Sequence, residues 1–164
     1  MTNDTKKYER DYQRKFLVVL DDTGECDRAV TFAAHRVKRT GGGVVLLTVV
    51  GNEQYQHWLG VENILRAEAF EKAEELLEER ARRIAEIGDI NVEKVIREGR
   101  KAEEIEKLIA EDKDIAILVL ASGTSSEGPG PLVSAFTGKG ATALPIPVTI
   151  VPGGLSEEAI IGLC

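Results

Sequence analysis

Five short apolar runs, separated by stretches of helical period, set the layout of this chain. Lys15–Leu20 reads Lys-Phe-Leu-Val-Val-Leu, with apolar residues on both faces of any strand it forms. Such a run suits the middle of a parallel sheet, where helices cover both sides. Val44–Val50 and Ile115–Ala121 read the same way. Asn91–Arg97 alternates more and predicts a strand nearer a sheet edge. Ile146–Val151 contains Pro147, which cannot donate to a ladder, so this last strand belongs at an edge or has the proline at its start.

Between the runs the period changes. Cys26, Ala29, Val30, Ala33 and Val37 make one stripe of a helix over 25–39. Asp22 or Thr23 is placed to cap it, and Arg36, Lys38 and Arg39 complement its negative end. Gly41-Gly42-Gly43 stops it. A long helix over 61–87 would extend roughly 40 Å. Its apolar face is Val61, Ile64, Leu65, Phe70, Ala73, Leu76, Leu77, Ala81 and Ile84. Glu62 with Arg66, Glu68 with Lys72, Glu78 with Arg82 and Glu79 with Arg83 are i,i+4 pairs in the favourable order. Shorter helices are expected over 101–111, with Ala102, Ile105, Leu108 and Ile109 inward, and over 132–142. Strict βα alternation implies an α/β fold: one open, parallel five-stranded sheet with helices on both faces and right-handed crossovers. The expected organisation is a charged, flexible arm (1–14), one domain (15–152) and a tail (153–164) that is either mobile or packed on a partner.

Composition narrows the function. The 164 residues suit one domain, and 43% hydrophobic residues suffice for a sizeable core. The net charge of -7 argues against nucleic acid or an anionic membrane as the main partner. Cys26 and Cys164 have neither metal-site nor disulfide-framework spacing and read as free thiols of a reducing compartment. Residues 1–15 lack the apolar core of a secretory signal, and no run approaches the roughly 18 apolar residues of a membrane span. Cys164 lacks the three following residues of a prenylation box. The expected location is the cytoplasm.

In sheets of this kind ligands bind beyond the carboxyl ends of the strands, where strand order reverses. The candidate segments are therefore Asp21–Thr23, Thr48–Gly51 and the Gly/Ser/Pro loop Ala121–Pro131. His57 and Trp58 lie in a loop that either binds a ligand or folds over the long helix, and His35 reads as a surface histidine. With two histidines and no nucleophile elbow, a Ser-His-Asp or Cys-His site has little support. Walker A and metal-ligand spacings are absent from the sequence, so a dedicated catalytic site is not expected.

From Phe16 to Pro152 the chain resembles the universal stress protein family. The matching pieces, in order, are Val18-Val-Leu-Asp-Asp-Thr23 with Ala29, Leu46-Leu-Thr-Val49, Glu98-Gly99 with Ala102-Glu-Glu-Ile105, Leu118-Val-Leu-Ala-Ser122 and Leu144-Pro-Ile-Pro-Val-Thr-Ile-Val151. The resemblance implies strand order 3-2-1-4-5, with a ligand site between the first and fourth strands. It also implies a homodimer through the last strand (Pro147–Val151) and a regulatory role in stress response; any further protein partner is unknown. Members that bind ATP, with magnesium, carry a motif of Gly, two residues, Gly, nine residues, Gly and Ser or Thr. Aligned without gaps, those positions are Ala121, Thr124, Ser134 and Ala135, so the spacing stays and each glycine is replaced. A shifted frame, Ser125, Gly128, Gly138 and Lys139, recovers two glycines but needs a longer loop and a later helix. Asp21 matches the acidic residue beside ribose and metal, with helix capping as its plainer role, and Val49 matches a position whose backbone meets adenine.

Two readings stay open. In one, Gly123, Gly128 and Gly130 cradle phosphate, with Thr124, Ser125 and Ser126 as hydroxyl donors and Lys139 as countercharge. In the other, Pro129 and Pro131 remove amides and leave a plain connecting turn, so that the protein is a dimeric interaction module without nucleotide. An ATP hydrolase with Asp21 on magnesium would rest on fold analogy alone.

Overall fold

The computed structural model describes residues 14–21, 23–51, 61–138 and 144–164. The apolar runs become parallel strands β1 (Lys15–Leu20), β2 (Gly43–Val50), β3 (Asn91–Glu98), β4 (Ile115–Ser122) and β5 (Val148–Pro152). Helices α1 (Cys26–Thr40), α2 (Glu62–Ile87), α3 (Lys101–Glu111), α4 (Pro131–Thr137) and α5 (Glu157–Leu163) connect or follow them. The sheet order is β3-β2-β1-β4-β5, as expected. β1 is central, with Val18 opposite Leu46 on β2 and Val119 on β4.

The continuous apolar runs hide a period of two. Phe16, Val18 and Leu20 join Val44 and Leu46 in a core layer with α1, α2 and α5. Leu17 and Val19 join Val45, Leu47 and Leu118 in a second layer with α3 and α4. Both layers are needed because each strand face would otherwise meet water. A fully buried Leu such as Leu17 or Leu118 contributes about 2–3 kcal/mol. The more alternating β3 lies at one edge and the proline-preceded β5 at the other. Gly41 closes α1 with φ 80°, its amide donating to the Val37 carbonyl at 2.8 Å. A side chain on Gly42 would collide with the Arg14 carbonyl, so the run of glycines also lets the chain pass close to β1.

Several expectations need correction. The segment after β5 is a helix of the same domain: α5 packs on α1, with Ile160 fully buried and Cys164 beside Phe32. Ser156 caps it through a bond from the Ala159 amide. No side chain among the described residues caps α1, because Thr23 turns back onto Asp21 instead. α2 buries Ala73, Leu77 and Ile84, whereas Val61 and Ile64 at its start are exposed. Its charges reach other elements rather than running only along the helix. Arg66 pairs with Glu98, Glu78 with Lys94, Arg80 with Asp27, and Arg83 with Asp27 and Glu157. A 26-residue helix lying on a sheet has neighbours closer than its own next turn, so tertiary partners win. β5 begins at Val148, after Pro147. α4 ends at Thr137, although part of the expected 132–142 helix lies outside the described residues. The first 13 residues, Asp22, His57, Trp58 and Lys139 also lie outside them. No helix among the described residues is long and apolar enough to cross a membrane.

Candidate functional site

At the carboxyl end of the sheet the chain leaves β1 for α1 on one face and leaves β4 for α4 on the other. No crossover fills the space between these departures, so a cleft opens there. Asp21 stands at its centre. Its Oδ1 accepts bonds from the Thr23 amide (2.9 Å) and the Thr23 hydroxyl, a local turn that fixes the carboxylate at the strand end.

Asp21 lines two cavities. The smaller, about 130 Å³, lies between the ends of β1 and β4 and includes Thr23, Glu25, Cys26, Gly123 and Gly130. The larger and more open, about 390 Å³, lies over the ends of β1 and β2 under α2 and includes Thr48, Val49, Lys72 and Glu79. Besides Asp21, one other residue borders both: Lys101. The connection from β3 to β4 must cross β2 and β1, and that path carries the first residue of α3 over the cleft. Lys101 is exposed and has no hydrogen bond or ion pair among the described residues. Thr48 is 9% exposed, and its Oγ1 has no hydrogen-bond partner among them either. A buried hydroxyl without a partner costs about 1–3 kcal/mol, and the residue that carries it borders the larger cavity.

Glu25 marks the other side. Its carboxylate faces the Thr124 hydroxyl on the β4–α4 loop at 3.4 Å, and its stem lies where a side chain on Gly153 would clash. Its own backbone amide, then the Thr23 and Thr124 hydroxyls, hold its carboxyl below the usual range, so it is charged at neutral pH. Cys26, beneath it, donates its thiol to the Asp21 carbonyl at 3.3 Å. Burial pushes that thiol up, which makes it a poor nucleophile.

The β4–α4 loop is closed on itself. The Gly123 amide donates to Pro129 O at 2.8 Å and the Gly128 amide to Ser125 O at 3.3 Å. Pro129 and Pro131 have no amide to offer. Pro131 is also the first residue of α4, its fixed φ starting the helix. The helix therefore begins earlier than the shifted glycine frame requires, and Gly138 is its C-cap, lining neither cavity. Gly128, with φ 107°, also lines neither. Thr124 touches the site through Glu25 alone, and Lys139 lies outside the described residues. Asp21, Thr23, Ala121, Gly123 and Gly130 come together around the smaller cavity, with Val49 at the larger. Two amides held within the loop, two prolines and an anionic Glu25 do not fit a magnesium-bound triphosphate. Nor do the described residues contain a group of three or more His, Cys, Asp or Glu side chains able to hold a metal ion.

The sequence pattern points to three strand ends. Thr48 fell inside one of them without being singled out. Lys101 follows Gly99 at the end of β3, a fourth strand end that would have pointed to it. Glu25 carries no signal in the sequence, because its place comes from the β4–α4 loop beside it.

Comparison with known proteins decides the lineage. The model of the universal stress protein family matches residues 13–152. The chain belongs to this family. Among solved structures, universal stress protein UspA from Lactobacillus plantarum is 20% identical, with a TM-score of 0.71 over 85% of this chain and 97% of that one. A universal stress protein in complex with cAMP is 17% identical, TM-score 0.62, over 85% and 97% of the two chains. One from Archaeoglobus fulgidus in complex with dAMP is 16% identical, TM-score 0.57, over 85% and 98%. At these identities the likeness concerns the fold. No curated protein matches the chain.

Proposed function

We propose that this universal stress protein is a regulatory protein that binds an adenine nucleotide or nucleoside in the cleft around Asp21 and acts as a homodimer through β5. The observation that carries the ligand part is Thr48, whose buried hydroxyl has no partner among the described residues, at the edge of a cavity also lined by Asp21 and by Lys101, which has no partner among them either. Polar groups left unsatisfied at the strand ends, rather than in the core, support a ligand that satisfies them. The complexes of relatives with cAMP and dAMP support the adenine class. Thermal unfolding with and without adenosine and AMP tests this reading. Ligand at about 100 times its dissociation constant adds about 2.7 kcal/mol of stability, and Asp21→Ala is expected to remove the shift. The absence of a shift with any adenine compound would leave the interaction module as the function.

The dimer part draws on β5, an edge strand with Ile150 36% exposed. Strand edges of this kind pair with another chain. Light scattering is expected to give a dimer at micromolar concentration and a monomer for Ile150→Asp; a monomeric parent protein would refute it.

A further inference from the structure

We infer that Glu25 sets the charge of ligand this cleft accepts, admitting nucleosides with at most one phosphate and rejecting triphosphates. The inference rests on the ligand reading above and deepens it. Its ground is where the charges lie. Among the described residues, the smaller cavity is lined by two carboxylates, Asp21 and Glu25, and by one cation, Lys101; the larger adds Lys72, Glu75 and Glu79. One ammonium can offset one phosphate; a triphosphate would bring its further charges against two fixed anions.

Glu25 is held in place from several sides. Its stem lies against the backbone of Gly153, where a Cβ would clash with Glu25 itself, so the end of β5 and the start of α1 close around it. Thr124 approaches its Oε1 at 3.4 Å from the opposite loop. The carboxylate therefore lies between the β1–α1 and β4–α4 connections, the space a chain of phosphates leaving the cleft would enter. The loop behind it offers little in return. The Gly123 and Gly128 amides are bonded within the loop, and Pro129 and Pro131 lack an N–H. The larger cavity is a contrast: Thr48, Val49, Val50 and Ala73 give it an uncharged wall that suits the base and ribose of a nucleoside, and its own charges, Lys72 against Glu75 and Glu79, add no net positive charge for a phosphate.

The test is titration calorimetry of adenosine, AMP and ATP, the last with and without magnesium, on the parent protein and on Glu25→Gln. The amide keeps the stem against Gly153 and removes only the charge. The parent protein is expected to bind AMP at least about tenfold more tightly than ATP. Glu25→Gln is expected to raise ATP affinity about tenfold while leaving adenosine within about twofold. ATP binding as tightly as AMP to the parent protein would overturn the inference and leave the ligand reading standing. Equal gains for adenosine and ATP in Glu25→Gln would also overturn it, since the effect would then not be one of charge. If neither protein binds any of the three compounds, the ligand reading itself falls.

Discussion

The two ends of the sheet treat a lysine in opposite ways. At the amino end, Lys15 opens β1 with its side chain only 14% exposed, bonded to Glu93 at 2.7 Å and Asp112 at 2.9 Å. Its amide donates to Asp114 O, and Gly43 donates to Arg14 O, so backbone and side chain are both satisfied. At the carboxyl end, Lys101 borders two cavities, and neither it nor the buried Thr48 hydroxyl has a partner among the described residues. One end is a clamp between three strand ends; the other keeps its polar groups open. Polar groups satisfied within the chain contribute stability, and those left open support the ligand proposed for this end. The topology explains the division. At the amino end the connections return and meet, whereas at the carboxyl end they part to opposite faces.

The largest expected effect comes from breaking the clamp. Lys15→Ala should cost about 2 kcal/mol, because it leaves Asp112 and Glu93 without their cation. In thermal unfolding this is a fall of about 4–8 °C. Ligand binding at the far end should be unchanged; a loss of binding would show that the two ends are not independent. The same contrast can be read by pH. Burial disfavours the Lys15 ammonium, but hydrogen bonds and charge attraction from Glu93 and Asp112 outweigh that and raise its pKa above 10.5. A raised lysine contributes stability that is complete below its unfolded value and is lost as pH rises through the folded one. The parent protein should thus lose this contribution above about pH 10.4, and Lys15→Ala should lack that alkaline step.

The smaller effect has the opposite sign. Thr48→Val removes a buried hydroxyl that has no partner and keeps the shape of the side chain. Stability in urea should rise by about 1 kcal/mol, while the thermal shift produced by AMP or adenosine should shrink. A valine variant that is less stable than the parent would mean that Thr48 is satisfied in solution, and the contrast between the two ends would lose its main support.

Much of the fold was legible because it depends on local pattern. Lys15–Leu20 and Ile115–Ala121 are apolar on both faces, and only a strand covered on both sides by helices tolerates that. Pro147 kept its strand at an edge. The strand order did not follow from pattern; it came from family resemblance, and the sheet agrees. Asp21 and the loop after β4 were legible as strand ends. Glu25 and Lys101 were not, because each acquires its place through a residue distant in sequence: Thr124 and Gly153 for Glu25, and the β3-to-β4 crossing for Lys101. The tertiary ion pairs of α2 were not legible for the same reason. Helical spacing shows which charges can meet along a helix, but it carries no information about Glu98, Lys94 or Asp27 lying nearer.

By itself, then, the sequence determined the five strands, the first four helices, the two-layer core and the end of the sheet at which a ligand would bind, because hydrophobic period and turn residues act over a few positions. Only the tertiary structure decided that residues 157–163 belong to the core, that the loop after β4 is closed on itself, and that Glu25 faces the cleft. Those outcomes depend on which backbone amides and charges find partners across the fold, and that is settled when the strands are brought side by side.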